Sequence, residues 1–399
     1  MHPVGPFGID ALALAAPEQY LDLTTLAAAR GVAPGKYLDG LGVQRMSIAA
    51  PHEDPVSLGA AAARRLFETS GADPSKVGLL VVGSETGVDH SKPIAIWIHK
   101  LLGLSQQCRV YETKHACFGG TAGVLTALEW LASGAARGRS ALVICSDIAR
   151  YELASPGEPT QGAGAVAILM TEKPRLLALE PGISGCYARE VDDFWRPLYR
   201  KDAVVDGHLS VQCYLDALAG AYQAWKVVCH ETGQVAPLVR RCYHVPYGKM
   251  AKKAHRHART LDGLTEEQAD ASYAAEVAPS LRLPAQVGNV YTGSLWLSLA
   301  SLLDAQAGAL EGQRIGLFSY GSGCAAEYFA GTVAQGAGAY AQRLQLSLPL
   351  EKRKALSFSD YEAIRQGDAE ADRRPVGEPV PGKGPRFLGV RDDRRVYQG

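Results

Sequence analysis

The sequence has no excess of charge of either sign. Its 399 residues include 41 lysines and arginines against 41 aspartates and glutamates. A balanced chain generates no overall field that would draw it to nucleic acid or to an anionic membrane surface. Recognition of an anionic partner would therefore depend on a local patch, and we expect neither nucleic acid nor a membrane among the partners.

Long apolar runs and a targeting segment are also missing. No apolar stretch approaches the ~20 residues that a helix needs to cross a bilayer. The apolar run at residues 9–16 contains Asp10 and lacks the preceding basic residues of a signal peptide. We therefore interpret it as a first strand, and we expect a cytoplasmic protein.

The eight cysteines include no Cys-x-x-Cys pair and are scattered along a long chain. This pattern argues against a disulfide scaffold and favours a reducing compartment. The close pairs His115-x-Cys117 and Cys242-x-His244 match no usual zinc spacing, so we expect no metal site.

What the sequence does contain is an alternation of apolar strands with longer helical runs. Continuous apolar segments at 77–83, 140–145 and 162–170 predict strands, and Ala-rich segments at 58–68 and 118–132 predict helices. Apolar strands without alternating polar residues are typical of a sheet that helices cover on both faces. The sequence therefore predicts an α/β fold.

Cys117 lies where the predicted strand 109–114 joins a Gly/Ala-rich helix. The positive end of a helix dipole stabilises a thiolate, so we expect a lowered thiol pKa and a nucleophile. Gly119 and Gly120 would let a substrate approach the backbone closely. The alternative, a small apolar core cysteine, explains neither the glycines nor the polar side chains described next.

Two further polar side chains follow predicted strands. Glu85 stands just beyond the strand that ends at Gly83, and His244 follows a shorter strand. Each alone could be an ordinary loop residue, but sites collect at strand ends in α/β sheets. Together with Cys117 they supply a thiol, a carboxylate and an imidazole, which suffice for acyl transfer and for proton abstraction next to a carbonyl.

Nine short segments carry a recognisable pattern. They are 85–89 (ETGVD), 116–117 (AC), 147–151 (DIARY), 157–165 (GEPTQGAGA), 191–197 (VDDFWRP), 205–207 (VDG), 243–250 (YHVPYGKM), 288–293 (GNVYTG) and 319–323 (SYGSG). In these segments the chain, from its N-terminus to Ala330, resembles the 3-hydroxy-3-methylglutaryl (HMG) synthases of the thiolase superfamily.

The resemblance implies a thiolase-like layered αβαβα fold with two structurally related halves. Residues 1–175 would form the half with Cys117, and residues 176–399 the half with His244 and a charged C-terminal tail. A homodimer is implied, and no bound cofactor, because the substrates are carried on the phosphopantetheine of an acyl carrier protein or of coenzyme A (CoA).

The resemblance also implies roles for individual residues. Cys117 would accept an acetyl group, Glu85 would remove a proton from its methyl carbon, and His244 would polarise or protonate the ketone oxygen of the acceptor. The remaining implied roles are an oxyanion hole from the backbone of Cys117 and Ser322, orientation of His244 by Asn289, and a pocket lined by Tyr151, Phe194 and Tyr320.

Within the family, the segments 89–99 and 117–123 and the tail 391–397 resemble the enzymes of polyketide β-branching. The donor would then be an acetyl acyl carrier protein, and the acceptor a β-ketoacyl chain on a polyketide synthase carrier protein. One alternative is a mevalonate-pathway synthase that uses acetyl-CoA and acetoacetyl-CoA. Another is a decarboxylating ketosynthase-type initiation enzyme, against which the Glu85 segment argues.

A run of basic residues follows His244. Lys249, Lys252, Lys253 and Arg256 are candidates for binding the phosphate of a phosphopantetheine arm or the acidic surface of a carrier protein. The alternative is a solvated helix face.

Overall fold

The computed structural model, which describes residues 5–381 and 383–399, alternates strands and helices along the chain. The strands are β1 (Phe7–Ala15), β2 (Gln19–Asp22), β3 (Arg45–Ile48), β4 (Val77–Gly83), β5 (Arg109–Thr113), β6 (Ser140–Ala149), β7 (Gly162–Glu172), β8 (Leu177–Ala188), β9 (Phe194–Trp195), β10 (Val204–Val205), β11 (Arg240–Tyr243), β12 (Arg314–Gly321), β13 (Ala325–Val333), β14 (Lys354–Ala355), β15 (Arg386–Arg391) and β16 (Arg394–Gln398).

The α-helices lie between these strands. They are α1 (Leu23–Ala29), α2 (Gly35–Leu38), α3 (Pro55–Ser70), α4 (Ile94–Leu101), α5 (Gly119–Ala132), α6 (Gly207–Thr232), α7 (Gly248–Leu261), α8 (Glu266–Glu276), α9 (Pro284–Val287), α10 (Ser294–Gln306), α11 (Ala337–Leu344), α12 (Leu348–Glu351) and α13 (Phe358–Ala371). None of the helices in the described ranges combines the length and the apolar composition that crossing a bilayer requires.

A nine-stranded sheet organises the molecule, in the order β11-β12-β13-β8-β1-β7-β6-β4-β5. Five of its strands come from residues 7–172 and four from residues 177–333. The two sets join where the first residues of β1 pair with the first residues of β8. The α/β class that the sequence predicts is confirmed, with helices packed on both sets of strands.

Parallel pairing brings the candidate site residues to one edge of the sheet. β4 runs parallel to β5 and to β6, so the segments that follow these three strands leave the sheet at the same edge. They carry Glu85, Cys117 and Tyr151. In the other set, β11 runs parallel to β12, which places His244 and Gly321 at a second shared edge.

Small residues bring helix α5 close to the sheet. A Cβ atom on Gly120 would lie 2.4 Å from the sulfur of Cys145 on β6, and one on Gly83 would lie 2.5 Å from the backbone of Gly120. Any larger side chain would push the helix outward. The glycines after Cys117 therefore set the position of the nucleophile's helix against β4 and β6.

The charged C-terminal tail is ordered into α13 and the hairpin β15–β16, and it packs on the first part of the chain. β14 pairs with β2, and the Tyr397 hydroxyl donates to the Asp54 carboxylate over 2.6 Å. The tail also contacts the second half, where Arg365 of α13 pairs with Asp202 at 3.1 Å; the division of the chain at residue 175 stays a prediction.

Candidate active site

A large cavity opens where β4, β5 and β6 end. Its volume is about 1460 Å³. Its walls include the segments 84–93 and 194–197 and the end of the C-terminal hairpin, and its lining includes Glu85, His115 and Ala116. Cys117 follows directly in the chain, is 9% exposed and contacts Glu85, so the thiol lies next to the cavity wall.

Cys117 and Glu85 are in contact. The thiol donates a hydrogen bond to Glu85 Oε1, with 3.4 Å between sulfur and oxygen. Around the sulfur, Ala149, Tyr291 and Phe194 form a small apolar cluster. The thiol and the carboxylate that the sequence analysis singled out are therefore neighbours within a site that is largely shielded from water.

The prediction of a lowered Cys117 pKa is wrong for this site. Burial, followed by the charges of Glu85 and Asp147, holds the thiol pKa well above its usual value. Helix α5 begins only at Gly119, and its positive end is outweighed by burial and by these carboxylates. Burial and the charge of Asp147 also raise the pKa of Glu85, to about 8. At rest, the thiol is therefore protonated.

Asp147, at the end of β6, fixes the position of Glu85. One of its carboxylate oxygens accepts hydrogen bonds from the Glu85 backbone N–H (2.9 Å) and from the hydroxyls of Thr86 (2.7 Å) and Ser84 (3.1 Å). The other accepts from the backbone N–H (3.1 Å) and the hydroxyl (2.5 Å) of Thr292. A fully buried carboxylate is tolerated when its oxygens are satisfied in this way.

Three aromatic rings pack together beside the sulfur of Cys117. The ring of Phe194 lies 6.3 Å from that of Tyr151 and 5.8 Å from that of Tyr291. Burial, followed by the charges of Cys117 and Glu85, raises the pKa of Tyr151. Phe194 packs on the Cys117 cluster and Tyr151 packs on Phe194; their role in lining a substrate pocket stays a prediction.

His244 belongs to an adjoining group of aromatic residues. The residue is 3% exposed. Its ring stacks on the ring of Tyr214, with 6.3 Å between the centroids. Tyr214 in turn packs against Tyr320 at 5.1 Å. Burial lowers the pKa of His244 to about 3, so its imidazole is neutral at physiological pH.

Tyr320 connects this group to the sulfur. Its hydroxyl donates to Asp193 over 2.6 Å, and Asp193 precedes Phe194, which packs on Cys117. Asp193 also accepts from the backbone N–H of Gly323 over 3.0 Å. These bonds hold the turn that contains Ser322 beside the Phe194 segment.

The resemblance implies that Asn289 orients His244 and that Ser322 contributes to the oxyanion hole. Neither interaction is among the hydrogen bonds of the described residues. Asn289 Oδ1 accepts from the Tyr291 N–H and the Ser294 hydroxyl, so orientation of His244 by Asn289 stays a prediction. The oxyanion role of Ser322 also stays a prediction. A Cβ on the preceding Gly321 would lie 2.6 Å from the Phe118 nitrogen, so the turn closely approaches the nucleophile segment.

The basic cluster lies on α7, away from the cavity. Lys249, Lys252, Lys253 and Arg256 are all absent from its lining. Arg256 forms a two-pronged ion pair with Asp270 on α8, at 2.6 and 3.0 Å, and Lys252 reaches the same carboxylate at 3.4 Å. Half of the cluster is therefore neutralised, while Lys249 and Lys253 are exposed.

Asp147, Asp193, Tyr291 and Arg196 have no role that we predict from the sequence. The signal was present: Asp147 is a charged residue near the end of a mostly apolar strand, where a buried carboxylate needs partners. Within the described ranges, no group of three or more His, Cys, Asp or Glu side chains is placed to bind a metal ion.

Comparison with known proteins identifies the family. The model described as hydroxymethylglutaryl-coenzyme A synthase N terminal matches residues 4–174, and the corresponding C-terminal model matches residues 177–274 and 256–373. The hydroxymethylglutaryl-CoA synthase of Enterococcus faecalis is 38% identical over 358 residues, which cover 90% of this chain and 91% of that protein.

Solved structures agree. MvaS in complex with 3-hydroxy-3-methylglutaryl coenzyme A is 48% identical with a TM-score of 0.95, and the match covers 99% of both chains. The HMG synthase of the curacin biosynthetic pathway, in complex with acetyl donor-ACP, is 32% identical with a TM-score of 0.91, over 98% of this chain and 99% of that one. The thiolase-like fold is thereby confirmed, and the chain belongs to the hydroxymethylglutaryl-CoA synthase family, as a condensing acyltransferase that forms a carbon–carbon bond.

Proposed function

We propose that Cys117 accepts the acetyl group and that the acetylated enzyme condenses with a β-ketoacyl thioester to give an HMG thioester. The observation that supports this most directly is the contact between the Cys117 thiol and the Glu85 carboxylate, which lines the cavity. A protonated thiol beside a carboxylate can lose its proton as it attacks the donor thioester, since the acceptor of that proton is already hydrogen bonded to it.

The same carboxylate serves the next step. Glu85 passes the thiol proton to the departing thiolate of the donor, which leaves as a free thiol, and Glu85 is again a carboxylate. It then takes a proton from the methyl carbon of the acetyl group on Cys117. The resulting enolate carbon attacks the β-keto carbon of the acceptor, forming the new carbon–carbon bond. Water then cleaves the thioester to Cys117, which releases the product with a free carboxylate and restores the thiol.

A neutral His244 favours one of the two roles left open by the sequence. An imidazole with a pKa lowered to about 3 is a poor source of a full proton at neutral pH, but its N–H can donate a hydrogen bond. His244 therefore polarises the ketone oxygen of the acceptor. The proton that Glu85 has collected is available for the developing alkoxide.

Coenzyme A is the first candidate for the carrier of both substrates. The supporting observation is the 48% identity to MvaS, whose structure contains HMG-CoA, against 32% to the curacin enzyme. The β-branching function predicted from the sequence is the second candidate. It is supported by the match to the curacin enzyme bound to its acetyl donor-ACP and by the exposed Lys249 and Lys253.

Intact-protein mass spectrometry tests the function and the carrier together. The enzyme is mixed with acetyl-CoA or with an acetyl acyl carrier protein, and then with acetoacetyl-CoA. We expect the mass of one acetyl group on Cys117 from acetyl-CoA, and release of HMG-CoA. Cys117→Ala should carry no acetyl group, whereas Cys145→Ala should still be acetylated.

Glu85→Gln should still be acetylated, although more slowly, and should fail to condense. Acetylation that maps to Cys145, or full condensation by Glu85→Gln, would contradict the proposal. Acetylation from the carrier protein but not from acetyl-CoA would select the second candidate.

A further inference from the structure

Two aromatic side chains from different segments meet beside the nucleophile. Phe194 of β9 packs on the apolar cluster that contains Cys117. Tyr151, which follows β6 and is 8% exposed, packs edge-on against Phe194 with 6.3 Å between the ring centroids. The place of Phe194 beside the sulfur therefore depends on how firmly the Tyr151 segment and the β9 segment are held together.

Arg365 of α13 is bonded to both of these segments. It donates to the Tyr151 carbonyl over 3.1 Å and pairs at 3.1 Å with Asp202, in the loop between β9 and β10. Its Nη1 also donates to the side-chain oxygen of Gln161, and the same oxygen accepts from the Tyr151 N–H over 3.0 Å. The guanidinium therefore holds one backbone polar group of Tyr151 directly and the other through Gln161.

This guanidinium is engaged on all three of its nitrogens. The Arg365 side chain is 8% exposed, and its Nε donates to Asp368 over 3.0 Å. The same carboxylate accepts from Arg150 at 2.7 Å. Charge-assisted hydrogen bonds on every nitrogen fix the direction of the fork and the positions of its partners. Arg365 can therefore act on the reaction only through the residues that it holds.

We propose that Arg365 is a positioning residue for the acetylated enzyme: by tying Tyr151 to the loop between β9 and β10, it keeps Phe194 packed over the acetyl group on Cys117. The inference rests on the proposed function, because it takes Cys117 as the acetylated residue. It gives helix α13, from the charged C-terminal tail, a part in protecting the thioester.

The acetyl group on Cys117 has two competing fates. In condensation, its methyl carbon loses a proton to Glu85 and attacks the acceptor. In hydrolysis, the oxygen of a water molecule adds to the acetyl carbonyl carbon, the carbon–sulfur bond breaks, the sulfur takes up a proton and acetic acid leaves. An apolar wall at the sulfur keeps water out and keeps the methyl carbon within reach of Glu85. Loosening the wall should therefore raise hydrolysis and lower condensation.

The test measures how the acetylated enzyme divides between these fates. The wild type, Arg365→Met, Arg365→Lys and the control Arg314→Met are acetylated with the donor that acetylates the wild type, acetyl-CoA or the acetyl carrier protein. Each is freed of donor and mixed with the acetoacetyl thioester of the same carrier, and the released acetate and HMG thioester are measured. Arg314 is a matched control at the start of β12. Its side chain is 6% exposed and is likewise bonded to a carboxylate, that of Glu180 at 2.7 Å, and to a backbone carbonyl, that of Ala236 at 2.8 Å.

For Arg365→Met we expect the ratio of acetate to HMG thioester to rise about tenfold, since small displacements of reacting groups change rates on that scale. Arg365→Lys should raise the ratio less, because an ammonium keeps the charge but cannot reach all of the partners of the fork. Arg314→Met should lower the melting temperature and keep the ratio of the wild type. The ratio does not depend on the folded fraction, because both products come from the same acetylated enzyme.

An unchanged ratio for Arg365→Met would overturn the inference even if its total activity falls, because a merely structural role of Arg365 lowers both products equally. An equal rise in Arg314→Met would overturn it as well. If Arg365→Met does not fold, Arg365→Lys decides, and an unchanged ratio there has the same meaning. If Cys117→Ala is acetylated like the wild type, the proposed function itself fails. If acetylation requires Cys117 while all ratios are equal, only the Arg365 inference fails.

Discussion

One ionisation dominates the chemistry at the scale of single residues. Glu85 has a pKa near 8, so its carboxylate form becomes more abundant as the pH rises through that value. Because both proton transfers need the carboxylate, we expect kcat/KM to rise with pH by about tenfold per unit below the pKa and then level off. A rate profile from pH 6 to 9.5 checks this, and a rate that falls over that range would contradict it.

The same ionisation couples the stability of the fold to pH. Folding raises the pKa of Glu85 above its ordinary value of 4.5. The neutral form is therefore favoured in the fold, and the stability it contributes is present below pH 4.5 and lost as the pH rises through 8. Glu85→Gln removes the titration, so we expect its melting temperature to gain on the wild type between pH 5.5 and pH 8.5.

Calorimetry at these two pH values measures that difference directly. Glu53→Gln is not a suitable control, because burial raises the pKa of Glu53 as well; Glu68→Gln, at the end of α3, is preferable. A melting-temperature difference between Glu85→Gln and the wild type that does not change with pH would contradict the raised pKa.

Residue types were predictable here, but their ionisation was not. The position of Cys117 at a strand-to-helix junction can be read from the glycines that follow it. The direction of its pKa cannot, because it depends on Glu85 and Asp147, which lie 32 and 30 residues away in sequence and meet the thiol only when β4, β5 and β6 assemble.

At the scale of secondary-structure elements, hydrogen bonds of Asp147 join β6 to the segment after β4 and to the turn that contains Thr292. Asp147→Asn replaces one acceptor oxygen with a donor that faces other donors. We expect a loss of about 2–3 kcal/mol in the free energy of unfolding, and a larger loss in condensation because Glu85 is released. Denaturant unfolding and a condensation assay measure the two effects.

Asp73→Asn is the matched control, since Asp73 is exposed and caps a short turn through Ser75. It should change the free energy of unfolding by no more than about 0.5 kcal/mol. If Asp147→Asn were as mild as this control, the hydrogen-bond network would not be what positions Glu85.

Some elements could be predicted from local pattern and others could not. Helix α3 is signalled by Asp54 and Ser57, whose side chains cap its first turn. Strand β8 is not, because Pro181 and Gly182 interrupt its apolar pattern. Helix α13 is not predicted from local pattern either, because residues distant in sequence hold it. Its Arg365 donates to the Tyr151 carbonyl over 3.1 Å, and the two residues are 214 positions apart.

At the scale of the whole molecule, the homodimer stays a prediction. β5 is the last strand of the sheet, so one of its edges has no partner strand within the described part of the chain. An unpaired edge is a natural place for a second copy to pair. Light scattering should give twice the chain mass of 42.4 kDa; a single chain mass at working concentration would contradict it.

A chain with no net charge can attract an anionic donor only through a local patch. Of the four basic residues predicted for this role, Lys249 and Lys253 are exposed and outside the ion pairs of the described residues, whereas Arg256 is held by Asp270. Lys253→Glu should therefore slow acetylation from donors that carry phosphate or acidic groups. These are acetyl-CoA and the acetyl carrier protein, and acetyl-pantetheine is the uncharged reference.

Charge reversal at a surface acts mainly on encounter. The effect of Lys253→Glu should therefore decline as salt is added, because exposed charges are screened within about 10 Å at 0.1 M ionic strength. Lys76→Glu is the control: Lys76 is exposed and precedes β4 at the opposite end of that strand from Glu85. Equal slowing of acetyl-pantetheine would indicate a damaged site. No slowing of any donor would make the cluster an ordinary solvated helix face, and the prediction of phosphate or carrier binding there would be wrong.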